Sequence, residues 1–158
     1  MSNISAHGIS ADLRRHVARL TTEYFLTQTK LMTAVLGVDL VSMLVFLAIS
    51  DANARNMTAD AGICARFGGL DDVAPDSLRR GVSVYALAKD LDLPYETTRR
   101  HVNKLVEVDL CQRAADGGLF VPAKVFARPD FIATTDRHWR VTEGFVVAML
   151  RAGVVFDA

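Results

Sequence analysis

The hydrophobic pattern is sharpest between Ser83 and Pro122. Val84, Leu87, Ala88 and Leu91 fall at i, i+3, i+4 and i+7, one face of a short helix that Ser83 can cap. Leu91-Asp92-Leu93-Pro94 ends it, because the proline ring disfavours helical geometry at Leu93, while Pro94 suits the first turn of a new helix. In that second helix Thr98, Val102, Leu105 and Val106 share one side and predict its core face. The opposite side carries Glu96, Thr97, Arg100, Asn103 and Lys104, with Arg99 and His101 on the flanks. Past Asp109, the runs Leu110 to Arg113 and Leu119 to Val121 bracket Ala114-Ala115-Asp116-Gly117-Gly118, whose Asp-Gly-Gly supplies the positive φ angles of a hairpin turn.

Near the start, Ser10 can cap a helix in which Leu13, Val17, Leu20, Tyr24 and Leu31 recur at coiled-coil-like spacing, interrupted by Thr27. Arg14, Arg15, Arg19, Glu23 and Lys30 lie off that stripe, which therefore packs on a partner subunit or on the C-terminal helix. Leu31 to Ile49 is the most apolar stretch and is just long enough to be weighed as a membrane span. Asp39 in its middle costs ~2.5 to 3.5 kcal/mol on insertion scales, and Gly37 marks a break between two helices. The preferred reading is a buried central helix from about Val38 to Asn53.

Asp51 to Gly81 reads as a connection, but that length without structure is unusual in a compact domain. A helix from Ala54 to Phe67, ended by Gly68-Gly69, and a turn from Pro75 to Arg80 are expected within it. Asp71-Asp72 reads as a solvated pair, since no histidine or cysteine lies nearby to complete a site. After the hairpin, Pro122 to Pro129 predicts an extended or turning linker. Asp130 then caps a final helix to about Ala152, with Ile132, Trp139, Val146 and Leu150 on one apolar edge, widened by Phe145 and Met149, and Gly153 at its end.

With 158 residues and 51% hydrophobic side chains, the chain suits one domain with a sizeable core plus helical extensions. The formal net charge is zero, so any affinity for a polyanion must come from a local basic face. Cys64 and Cys111 lie far apart without a CxxC pattern, which fits reduced structural thiols, although neither is excluded as a redox-active group. The N-terminus lacks the charged-then-apolar order of a signal peptide, so a cytoplasmic location is expected. No phosphate-binding glycine loop, HExxH motif or nucleophile elbow is present, and His7, His16, His101 and His138 are scattered. An enzyme is not expected, nor a metal or cofactor.

The residues Val84-Tyr85-Ala86-Leu87-Ala88, Leu91-Asp92-Leu93, Thr97-Thr98-Arg99-Arg100-His101-Val102, Leu105, Leu110 and the hairpin after it resemble the winged helix-turn-helix domains of bacterial transcription regulators, in the broad group that includes the MarR and IclR types. The resemblance covers about a quarter of the chain. It implies a mainly α fold: a winged helix-turn-helix domain over 37–127 with a small β-hairpin wing and a loop or insertion at about 51–81. Long N- and C-terminal helices over 1–36 and 128–158 would then make a homodimer. It further implies a sequence-specific regulator of transcription whose partner is double-stranded DNA, with a small-molecule effector permitted between the terminal helices and the domain.

In that reading the second helix enters the major groove. Arg100 reaches guanine, Asn103 reads adenine, and Glu96 accepts from cytosine. Tyr95 and Thr97 contact phosphate or a thymine methyl, while Ser83, Lys89, Arg99, Lys104 and Arg113 hold the backbone and His101 favours a phosphate contact. The alternative is a protein-docking or dimerisation module without nucleic acid, which the neutral charge and Glu96 on the reading face favour.

Overall fold

A computed structural model describes residues 13–155. The chain is mainly helical with one small two-stranded antiparallel sheet, and it divides into two compact units, at Met32/Thr33 and Ala133/Thr134.

The larger unit, Thr33–Ala133, is built on helix α2 (Leu40–Thr58). Helix α1 (Arg14–Leu36) stops because Gly37 takes φ +64°, a left-handed conformation that side chains with a Cβ resist. Asp39 then starts α2 as its N-cap, accepting from the Ser42 backbone N–H at 2.9 Å. The apolar stretch is thereby cut in two, and among the described residues no single helix is long and apolar enough to cross a membrane. Met43, Val45, Phe46 and Ile49 of α2 are buried together with Leu87, Val102, Leu105, Leu119 and Val121, which form the core. Phe46, Phe126 and Phe131 add a ring cluster, with the last two edge to face at 5.2 Å.

The expected helix from Ala54 to Phe67 is corrected: Ala54 to Thr58 continue α2. Asp60 caps a separate short helix α3 (Ala61–Arg66), accepting from Gly62 and Ile63 N–H, and α3 buries no residue. Asp76–Leu78 forms a 3₁₀ turn within the expected turn. It is tied down by Arg79, whose side chain is only 6% exposed. That guanidinium donates to Ala74 O at 2.9 Å and lies 4.7 Å from the Phe126 ring centre. Asp76 accepts from Ala123 N–H at 2.6 Å.

Helix α4 (Val84–Asp90) begins at Ser83, whose hydroxyl accepts from Ala86 N–H at 3.1 Å. Asp92, at φ 51°, turns the chain toward helix α5 (Tyr95–Glu107). Asp109, at φ 57°, turns it out again. Strand β1 (Gln112–Arg113) pairs antiparallel with β2 (Leu119–Phe120), Gln112 opposite Phe120 and Arg113 opposite Leu119. Both strands are shorter than the predicted runs: the Leu110 and Cys111 N–H groups bond back to Leu105 O, and the Val121 N–H bonds to Asn53 Oδ1. The Ala114 to Gly118 turn is present, with Gly117 at φ +83°.

Val82 bridges to Leu119 and brings Gly81 against Gly118 so closely that a Cβ on either would meet the other's Cα at 3.0 Å. Asn53 of α2, fully buried, anchors this hairpin: its Nδ2 donates to Arg80 O at 2.6 Å and Leu119 O at 3.1 Å, and its Oδ1 accepts from Val121 N–H at 2.9 Å. The expected linker after Pro122 contains a single helical turn, α6 (Ala123–Phe126). Helix α7 (Pro129–Arg151) starts one residue before Asp130, which lies in its first turn rather than capping it.

The smaller unit comprises, among described residues, 13–32 of α1 and 134–155 of α7 and its end. Tyr24 stacks on Phe145 at 4.5 Å, and its hydroxyl lies 3.1 Å from Thr142 Oγ1. Gln28 Nε2 donates to Thr142 Oγ1 and to His138 O. The α1 stripe of Leu13, Val17, Leu20 and Tyr24 is half-buried, as its spacing predicts; the Ser10 cap falls outside the described residues. Trp139, Val146 and Leu150 are exposed, and the inner side is His138, Val141, Thr142, Phe145 and Met149. Stacking on Tyr24 selects the Phe145 side, and the seven-residue spacing of the other edge carried no information about direction.

Candidate nucleic-acid interface

Helix α5 is amphipathic because every third or fourth residue is apolar or small. Thr98, Val102 and Leu105 are buried, and the Thr98 hydroxyl folds back to Pro94 O at 3.2 Å, which satisfies it within the helix. Its outer face presents Glu96, Arg99, Arg100, Asn103, Lys104 and Glu107, with Thr97 half-buried among them. The face is open, lined on one helix only, and mixed in sign.

Most of its cations are already engaged. Arg99 donates through two guanidinium nitrogens to Glu96 Oε2, at 3.0 and 2.7 Å, which holds the guanidinium above its ordinary pKa. Lys104 Nζ donates to Asp39 Oδ2 at 2.5 Å. Arg113 of β1 donates to Asn103 Oδ1 at 3.2 Å. Arg100 has no hydrogen-bond or ion-pair partner among the described residues, so it alone of the outer arginines and lysines of α5 is ready to bind without exchanging a partner.

Asp39 is the acceptor that sequence reading missed. The bond from Lys104, then that from the Ser42 N–H, holds its carboxyl far below the usual carboxylate range, against the opposing effect of burial. The Ser42 hydroxyl donates to Asp39 Oδ2 at 3.0 Å and lies 2.9 Å from His101 Nδ1. An ionised carboxylate only accepts and a hydroxyl has one proton, so with that proton on the Asp39 bond Ser42 Oγ accepts from His101 Nδ1, which sets the tautomer of the ring. The His101 ring is 12% exposed. From its flank of α5 it turns toward α2 as a brace, its Nδ1 engaged by Ser42 rather than open to the expected phosphate contact. The signal for Asp39 was in the sequence as Asp-x-x-Ser at a helix start.

The remaining expected residues spread over other faces. Tyr95 is 48% exposed at the start of α5. The Ser83 hydroxyl is taken up by its own helix start. Lys89 is exposed on α4 but lines a groove with Ala52, Arg55, Val82 and Asp90, away from the residues of the α5 face. Arg55, which sequence reading gave no role, joins Asp51 at 3.1 Å and Asp90 at 3.5 Å, linking α2 to α4. Asp116 at the hairpin tip accepts from Gly118 N–H, so the tip carries a carboxylate rather than a cation.

Among the described residues no three His, Cys, Asp or Glu side chains come together as a metal site. Burial pushes the Cys111 thiol up to about 12, while Cys64 is exposed on α3. No protein-family model matches the sequence, and no curated protein or solved structure matches it either.

Proposed function

We propose that this chain is a sequence-specific DNA-binding regulator of transcription, with α4, α5 and the β1–β2 hairpin acting as a winged helix-turn-helix. The observation that carries the reading is the division of α5: one side is sunk in the core through Thr98, Val102 and Leu105, and the other presents unpaired Arg100 between Thr97 and Asn103. An arginine on a rigid exposed helix is the group that best recognises guanine O6 and N7 in the major groove. The reading includes a homodimer. The smaller unit buries only Met32, Thr134 and Val154 among its described residues and exposes Phe25, Leu26, Trp139 and Leu150, surface that a second copy would cover. Two copies would address half-sites ~34 Å apart.

Selection from random duplex DNA with the purified protein tests this, and a motif with two related halves is the expected result. Arg100→Ala should then cost about 1 to 3 kcal/mol and relax preference at one base pair. Selection that enriches no motif refutes the reading.

A docking module for another protein is the second reading, favoured by the engagement of Arg99, Lys104 and Arg113 with groups of the chain itself. It predicts salt-insensitive binding to a protein and no duplex binding at low ionic strength.

A further inference from the structure

Beside the α5 face, at the start of α2, stands an acceptor that engages one of its cations. Lys104 Nζ meets Asp39 Oδ2 at 2.5 Å, and the carboxylate is not a wandering surface group. It is fixed by the Ser42 N–H and hydroxyl, and Ser42 is fixed in turn by the inward-facing His101 ring. An anion already oriented at a helix start loses little freedom on binding an ammonium, unlike most surface pairs. Glu96 does the same for Arg99, but from the same helix and from an exposed side chain without such bracing.

We propose that Asp39 is an internal counter-ion that limits the affinity of α5 for nucleic acid by competing with phosphate for Lys104. The proposal rests on the DNA reading of α5 and deepens it. A phosphate that reaches Lys104 either draws the ammonium off Asp39, so that the carboxylate takes up a cation from solution, or shares the ammonium and meets the repulsion of the carboxylate. Either one offsets part of the gain from the counterion release that drives association. Base contacts through Arg100 and Asn103 then make up a larger share of the binding energy, and sequences lacking the right bases are held weakly.

Asp39→Asn isolates the charge. Asparagine caps a helix as well as aspartate does. Its Oδ1 accepts the Ser42 N–H and its Nδ2 donates to Ser42 Oγ, whose proton can turn to His101 Nδ1. The acceptor for Lys104 is lost, while His101 keeps its bond to Ser42 in the tautomer whose Nδ1 accepts. Asp71→Asn makes the same change in net charge in the exposed loop after α3.

The assay is fluorescence anisotropy with a labelled random-sequence duplex, titrated at several salt concentrations between ~50 and ~200 mM. Asp39→Asn should bind about two- to fivefold more tightly than the wild type at the lowest salt, with a salt dependence steeper by up to about one unit of slope, while Asp71→Asn matches the wild type. Binding by the wild type with no gain for Asp39→Asn, or an equal gain for Asp71→Asn, overturns the role of Asp39 and leaves the DNA reading standing. If no variant binds duplex at all, the DNA reading fails and the counter-ion role falls with it. Circular dichroism of each variant, matching the wild type, shows that helix content is unchanged.

Discussion

Replacing Asn53 with alanine removes three hydrogen bonds that one carboxamide makes at the centre of the larger unit, and the three are not equivalent. Leu119 O keeps a second donor, the Val82 N–H at 3.0 Å, so its loss is small. Arg80 is an exposed residue, and water can replace Asn53 at its carbonyl. The Val121 N–H has neither remedy: residue 121 is fully buried, and an orphaned buried amide costs about 1 to 3 kcal/mol. Adding the packing lost with the carboxamide, Asn53→Ala should destabilise by about 2 to 4 kcal/mol.

Asn53→Asp separates the hydrogen bonds from the packing. A carboxylate there can still accept from Val121, but its second oxygen would face two carbonyls, so it must take up a proton to donate to one of them. The variant should therefore lose more than Asn53→Ala at about pH 7 and recover part of the loss near pH 4, as the folded form binds a proton that the unfolded form releases. Urea unfolding followed by far-ultraviolet circular dichroism gives the stabilities, and hydrogen exchange at the Val121 amide gives the local effect. A cost below ~0.5 kcal/mol for Asn53→Ala, the scale of an ordinary surface change, with Val121 protection unchanged, would refute the anchoring role.

Two other outcomes follow from burial. His138 has its pKa lowered by desolvation, so the folded chain resists protonation below the ordinary imidazole value of about 6.5. Its contribution to stability is present above that pH and is lost as pH falls toward the folded-state value. The difference in thermal midpoint between His138→Phe and the wild type, measured from about pH 7 to pH 5, should shift in favour of the variant; a parallel pair of profiles counts against the effect. Alkylation followed by mass spectrometry should modify Cys64 readily and Cys111 only after unfolding, and equal rates in the native chain would contradict the burial at 111.

The elements legible in the sequence were those with a repeated apolar period. The core face of α5 was readable because Thr98, Val102 and Leu105 recur over several turns, and α4 because Ser83 and Pro94 bound it on both sides. The end of α2 was not readable. Asn53 looks like the onset of a polar connection, yet it is fully buried and makes three hydrogen bonds to partners 27, 66 and 68 positions away in the chain. Such partners leave no local mark. Helix α6 was missed because four residues carry no period. On the α5 face, residue types were legible but their engagement was not: Lys104 was read as a free cation, and its counter-ion lies 65 positions upstream.

The contact of Gly81 with Gly118 also bears on how this chain can change over time. Two backbones meet there, so a Cβ on one glycine presses on the other's Cα and enlarging one cannot be relieved by shrinking the other. Complementary volume exchange, the common route by which packed pairs drift, is closed at this seam. Descendants of the sequence keep both glycines together or shift the hairpin from Val82, and a pairwise survey of variants should find replacements at these two positions far costlier than at exposed Ala115.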